Sequence, residues 1–303
     1  MFTIVLDIFS GVPNPVWTLS PSQGASLREQ IADGAAPVVG IDQVETRLGY
    51  LGYIVHATGD DADALSKMGL PNLFRLSSEA AGRLSRAEIE RELARDARGA
   101  TLNEPAQEAL WEAVDSEAVE PFSQVEPSSP GKLAAAACNL QGTSFSNFSF
   151  WNGVYCTRVR NNCYNYATND RTDNFAQPGY RSNTGFGGHY PNVPAPTVTN
   201  IRNGALGDGL KMSCSGDKLR VWFAIWPGTD YHWWRLNKND AGTNRWCHKR
   251  GTSPATNKDQ NGDFIVNVKN SARWNYSVDG EFMFVNSPQG NVKGWGGPLD
   301  YQC

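Results

Sequence analysis

The chain has 303 residues, 40% of them hydrophobic and 19% charged, and its 27 Lys and Arg against 31 Asp and Glu leave a net charge of −4. That apolar share is ample for packed cores, so disorder, collagen-like repetition and coiled coil are excluded as descriptions of the whole, and the length predicts two domains. The charge is uneven. Residues 1–130 carry 9 basic against 20 acidic side chains, net −11, with no Cys and two Trp; residues 131–303 carry 18 against 11, net +7, with all six Cys and eight Trp.

In chain order, Phe2–Phe9 suits an opening strand, and Ser10-Gly-Val-Pro-Asn-Pro15 is a turn of residues that fix or free φ. A helix is expected from about Ser22 to Ala32, since Ser20 and Pro21 are start signals. Tyr50–Ala57 reads as a second strand. Ser85–Arg98 reads as a helix, with Ser85 and Glu88 at capping-box spacing and Ile89, Leu93 and Ala97 four apart, and Glu104–Val119 as another. Val119–Lys132, with three Pro and three Ser, is expected to be an extended linker. The domains are therefore expected at 1–118, an acidic α+β unit with an inhibitory or targeting role, and at 133–303.

The second half has few helix-forming runs, Cys163–Thr168 and Ala134–Asn139 being the candidates. Strands are expected at Leu219–Trp226, Tyr231–Leu236, Trp246–Lys249, Phe264–Val268 and Gly280–Val285. Short connections such as Pro227-Gly-Thr-Asp230 imply antiparallel neighbours. No run reaches the roughly 18 apolar residues of a membrane span. The start of the chain lacks a basic n-region, and Leu133–Cys138 resembles a lipoprotein box without an h-region, so neither a Sec signal nor a lipid anchor is expected. Six Cys argue for an oxidising destination. Export without a Sec signal reconciles these readings, and so does a cytoplasmic chain with unpaired thiols.

Chemistry centres on Cys163 and His232. Asn161 or Asn162 can cap a helix that begins at Cys163, which puts the sulfur at the positive end of the helix dipole, and Arg158 and Arg160 are close in sequence; both favour the reactive thiolate. The helix-start amides could also hold an oxyanion. His232 follows at the start of a strand.

A Cys that opens a helix, in Asn-Asn-Cys163-Tyr-Asn-Tyr, followed by a His in an antiparallel sheet, in Tyr-His232-Trp-Trp, resembles the papain-like cysteine hydrolases in the broad sense, including the NlpC/P60 and CHAP amidases and protein-glutaminases. The resemblance covers about residues 150–270. It implies an α+β chain whose second domain is papain-like, with Cys163 as nucleophile, His232 as base, and His248 or Asn267 (Asp263 and Asp259 less well) holding the imidazole. A peptide or protein amide, peptidoglycan included, would be the substrate, and no cofactor is implied. The sequence departs from the family in lacking Gly-Ser-Cys-Trp and a Gln before the Cys, so Asn161, Asn162 or Gln141 would have to serve at the oxyanion.

Other readings stand beside this one. Cys163 could be bridged. If it is free, five Cys remain, hence at most two bridges and one odd thiol, for which Cys247 is the candidate. Cys163, His232, Cys247 and His248 lack zinc-ligand spacing, so no metal is expected. His189 reads as a loop residue, and His56 carries no evident chemistry. Trp222, Trp226, Trp233, Trp234 and Trp246 either fill the core or form an aromatic platform for carbohydrate or protein, the second being the basis of an alternative function as a non-catalytic, disulfide-braced binding domain. The basic residues of the second half are scattered, which argues against nucleic acid.

Overall fold

Antiparallel sheets organise both halves of the chain. The computed structural model describes residues 1–36, 38–41, 48–76, 89, 91–95, 102–116, 147–184, 186, 194–214, 219–238, 244–285, 292 and 294–295. The expected linker 119–132, the helix candidate 134–139, Gln141 and His189 lie outside the described residues. Two compact units are present: residues 1–8, 14–45 and 50–123 form the first, and residues 9–13, 46–49 and 124–303 the second. The fold class is mixed α+β.

In the first unit, β1 (Phe2–Leu6), β2 (Val16–Thr18), β3 (Val38–Gly40), β4 (Tyr53–Ala57) and β5 (Leu73–Leu76) form one sheet in the order β2-β1-β4-β5-β3. Its centre is apolar, with Ile4 opposite Val55 and Val55 opposite Phe74, all fully buried. Helix α1 (Pro21–Ala32) starts where the sequence puts it, in a capping box of Ser20 and Gln23 with Pro21 in the first turn. It buries Leu27 and Ile31. Residues 89 and 91–95 are helical, and Ile89 and Leu93 line a small hollow with Leu19 and Leu27. Helices α2 (Asp60–Lys67) and α3 (Glu104–Ser116) complete the unit. Strand β1 ends at Leu6, three residues short of the expected Phe9, and Asp7 just beyond it is a fully buried carboxylate. It pairs with Arg75 at 2.5 Å and accepts from Asn14 Nδ2 at 3.1 Å.

The second unit has a five-stranded sheet in the order β10-β9-β8-β7-β11, formed by β7 (Leu219–Trp226), β8 (Asp230–Lys238), β9 (Asn244–Lys249), β10 (Ala255–Thr256) and β11 (Val278–Val285). A two-stranded ribbon pairs β6 (Phe175–Ala176) with β12 (Gly294–Trp295). Four expected strands are present. Phe264–Val268 is not one of them: Phe264 makes an isolated bridge to Lys258, and Val268–Asn270 is a 3₁₀ turn capped by Asn267. Ile265 and Val268 are buried while Phe264 is 54% exposed, so the apolar run reflects anchoring of a loop. Among the described residues the unit has four helices, of which α6 was expected: α4 (Asn147–Gly153), α5 (Tyr155–Arg160), α6 (Cys163–Thr168) and α7 (Val198–Gly207).

Successive side chains of a strand point to opposite faces. Helix α6 covers the face that carries Tyr231, Trp233 and Arg235. Tyr164 lies 5.2 Å from the Trp233 ring, and Arg235 Nη1 donates to Tyr166 O at 2.7 Å. The other face carries Asp230, His232 and Trp234, and the Trp234 ring lies 5.2 Å from Trp222 and 4.3 Å from His232.

Candidate functional site

Cys163 sits where the sequence puts it, at the first position of α6. Asn162 caps the helix through acceptance from Tyr164 N and Asn165 N, and Asn165 returns a bond to the Asn162 amide. All three Asn of this motif are structural clamps. Asn162 Nδ2 donates to Gly11 O and Ala176 O, both at 2.8 Å. Asn165 Nδ2 donates to Thr172 Oγ1 at 2.8 Å and to Asp170 O at 3.0 Å. Asn161 holds the 172–173 loop, accepting from Thr172 N and Asp173 N and donating to Thr157 O and Asp173 Oδ1. Asn161 therefore has no donor left for an oxyanion, and the Asn162 amide group is already taken up by two carbonyls.

The thiol is fully buried and donates weakly to Tyr231 O at 3.9 Å. Burial, reinforced by the Asp230 carboxylate, pushes its pKa well above the usual thiol value, so it is protonated and not activated. The helix dipole of a six-residue helix does not overcome that desolvation.

His232 lies on the opposite face of the sheet. Its Nε2 meets His248 Nδ1 at 2.8 Å, and His248 Nε2 is 2.9 Å from Lys258 O. A carbonyl can only accept, so His248 carries its proton on Nε2, which makes its Nδ1 the acceptor and His232 Nε2 the donor. His232 Nδ1 is then a bare lone pair that nothing among the described residues donates to. Burial lowers both imidazoles, His232 well below 6.5, with His248 and Arg250 adding to the effect, and His248 to about 4. Both are neutral at pH 7.

The structure thus brings His232 and His248 together and leaves Cys163 on the far side of the sheet. Cys247 faces the helix side with Cys163, packed among Trp151, Tyr166 and Ala255, and burial pushes its thiol up to about 12. The four residues weighed as a zinc set are divided between two faces. Asn267 is exposed and its side chain accepts from Lys269 N, capping its own turn. Asp259 is occupied by the amides of Asn261, Asp263 and Ala272. Cys163 and Cys247 are the free thiols among the described residues, while Cys156 and Cys214 are disulfide-bonded. The five sheet tryptophans are at most 4% exposed, four on the histidine face and Trp233 on the helix face, so they form no open platform.

Two further features went unread in the sequence. Lys249 is fully buried, and its Nζ donates to Arg158 O, Asn161 O and Gly251 O, each at 2.5 Å, neutralising the carbonyl end of α5. Asp230, taken as the end of a tight connection, accepts from Ser10 N at 2.6 Å, Val12 N at 2.9 Å and Gly11 N at 3.1 Å, and from Tyr276 Oη at 2.6 Å. Burial holds it up at about 6 in spite of those donors. The partners lie some 220 residues apart, and no local pattern marks them.

Site and fold together describe a disulfide-braced α+β protein whose described residues hold a buried polar network around Asp230, His232 and Lys249. Insoluble matrix shell protein 1 of Ruditapes philippinarum is 40% identical to the chain over 124 residues, a match that covers 39% of this chain and 74% of that protein. The chain belongs to the family of that shell matrix protein. No family model matches the chain, and no solved structure matches it significantly.

Proposed function

We propose that the second unit is a non-catalytic, disulfide-braced structural module of an extracellular protein matrix. The observation that carries this reading is that Cys163 and His232 are fully buried on opposite faces of one sheet, the thiol held protonated and the imidazole neutral. A nucleophile and its base must lie within hydrogen-bond reach. Disulfides at Cys156 and Cys214 agree with an oxidising compartment, and the name of the 40% identical relative agrees with a matrix role. The test is chemical: incubate the native chain with protein and peptidoglycan substrates and assay released ammonia and new amines. The module reading expects no release above a Cys163→Ser control.

A second reading, the papain-like cysteine hydrolase, draws support from the capped helix start at Cys163 and from the bare Nδ1 of a His232 oriented by His248. It needs both residues on one face of the sheet. Release of ammonia or amines by the native chain, absent in Cys163→Ser, would establish it and reject the module.

A further inference from the structure

Residues 9–13 cluster with the second unit although the residues on either side, 1–8 and 14–45, cluster with the first. Four backbone groups at their centre, the amides of residues 10–12 and the carbonyl of Gly11, are met by fixed side chains. The amides of Ser10, Gly11 and Val12 converge on the Asp230 carboxylate, which Tyr276 Oη also approaches, at 2.6 Å from Oδ2 and 2.9 Å from Ser10 Oγ. On the other side Gly11 O accepts from Asn162 Nδ2 at 2.8 Å and Gln177 Nε2 at 2.9 Å, and Tyr231 Oη holds Gln177 through its Oε1 at 2.9 Å. A Cβ on Gly11 would stand 2.6 Å from both the ring and the carbonyl of Tyr231, so this position admits glycine alone. Phe9 packs edge-on against Trp226 at 6.0 Å, and a Cβ on Gly251 would crowd its carbonyl at 2.9 Å.

These are the parts of a peptide-recognition site: main-chain groups paired with buried side chains, a size filter at one residue and an aromatic anchor at another. The loop that fills it is closed at its base by its own residues, Ile8 N donating to Asn14 Oδ1 at 3.0 Å. That bond ties the two ends of the loop together, which lowers the ordering cost of binding.

We infer that the cradle of Asn162, Gln177, Asp230, Tyr231 and Tyr276 is a binding site for a Phe-Ser-Gly-Val-Pro loop, and that it accepts this loop from a second copy of the chain as well as from its own. The inference goes beyond the module reading and stands without it. Every contact made within one chain can be made between two, so only tethering favours the internal arrangement. A tether supplies an effective concentration on the order of millimolar, and exchange sets in as the chain approaches that concentration. Loop and cradle are different surfaces, so the contact is heterologous and builds closed rings or open chains of copies.

Complementary full-length variants test it. Gly11→Val removes a usable loop and leaves the cradle; Asp230→Ala spoils the cradle and leaves the loop. By sedimentation velocity each is expected to be monomeric alone, and an equimolar mixture to form a heterodimer. A fluorescent peptide of Ile8–Asn14 should bind Gly11→Val and weaken by at least about tenfold in the double variant, since it loses charge-assisted bonds. A mixture that stays monomeric with a peptide that binds neither variant overturns the inference. Where Gly11→Val does not hold its fold, the readout is refolding with the peptide present. Recovery of the native tryptophan spectrum supports the site; no recovery, together with wild-type chains that remain monomeric near about 1 mM, overturns it.

Discussion

Acid should loosen the second unit through its paired imidazoles, and the size of the effect follows from His248. In the folded chain burial lowers its pKa from 6.5 to about 4. The unfolded chain takes up a proton below 6.5 that the folded chain refuses, so the stability contributed by the neutral imidazole is whole above pH 6.5 and is lost as the pH falls toward 4. At 1.36 kcal/mol for each tenfold change in the equilibrium, that window is worth about 3 kcal/mol. Two carboxylates act in the opposite sense. Burial raises Asp208 and Asp230 to about 6, so their ionised forms burden the fold and stability is gained as the pH falls from 6 to 3.8. The wild-type profile mixes both effects, and a comparison with His248→Gln separates them, because glutamine takes up no proton while both carboxylates stay. Urea unfolding should be followed by tryptophan emission, which reports mainly on the half holding eight of the ten Trp. The stability advantage of wild type over His248→Gln at pH 7 should shrink by about 3 kcal/mol at pH 4. Parallel profiles from pH 7 to pH 4 would refute the assignment of a buried, neutral His248.

Other perturbations read other parts of the fold. Lys249→Met leaves three buried carbonyls without their donor and should destabilise the second unit by about 3 kcal/mol or more, at about 1 kcal/mol each, read as a lower urea midpoint. Arg75→Met strands the fully buried Asp7 carboxylate and should cost the first unit about 3–5 kcal/mol at pH 7, with partial recovery in Asp7→Asn/Arg75→Met; equal losses in both variants would mean that the pair is not the cause. Reduction of the bridges at Cys156 and Cys214 should lower the melting temperature of the second unit, each bridge being worth about 2–5 kcal/mol. An unchanged melting curve after complete reduction would remove the bracing role.

Local signals gave the elements that local forces decide. The Ser20-Pro21 start of α1 and the Asn162 cap of α6 are side chains bonding amides two or three residues away, and both stand as read. β7 and β8 announce themselves by apolar and aromatic runs. Those same runs hid the decisive feature. Leu219–Trp226 is buried on both faces except at Arg220, so hydropathy does not alternate and nothing in the sequence says which face a helix covers. With that parity undetermined, Cys163 and His232 read as partners; α6 in fact packs on Tyr231 and Trp233, and the intervening His232 turns away. The same blindness to distance concealed Lys249 under the end of α5 and Asp230 over residues 10–12. Ser10-Gly-Val-Pro was legible as a turn, but its place in the second unit rests on bonds that span the length of the chain. Asn147–Gly153 was missed as a helix because it is rich in Asn, Ser and aromatic residues, which favour helix weakly, and it is held by packing, with Trp151 fully buried.

The separation of Cys163 from His232 is most directly tested at the thiol. The native chain should be treated with a small alkylating reagent at pH 6 and the adducts mapped by mass spectrometry, alongside His232→Ala. A buried, protonated Cys163 reacts only when the fold opens, so both proteins should label slowly and at rates that track their stability. Rapid labelling confined to Cys163 in the native chain and lost in His232→Ala would contradict this account, because it would place thiolate and imidazole on one face of the sheet.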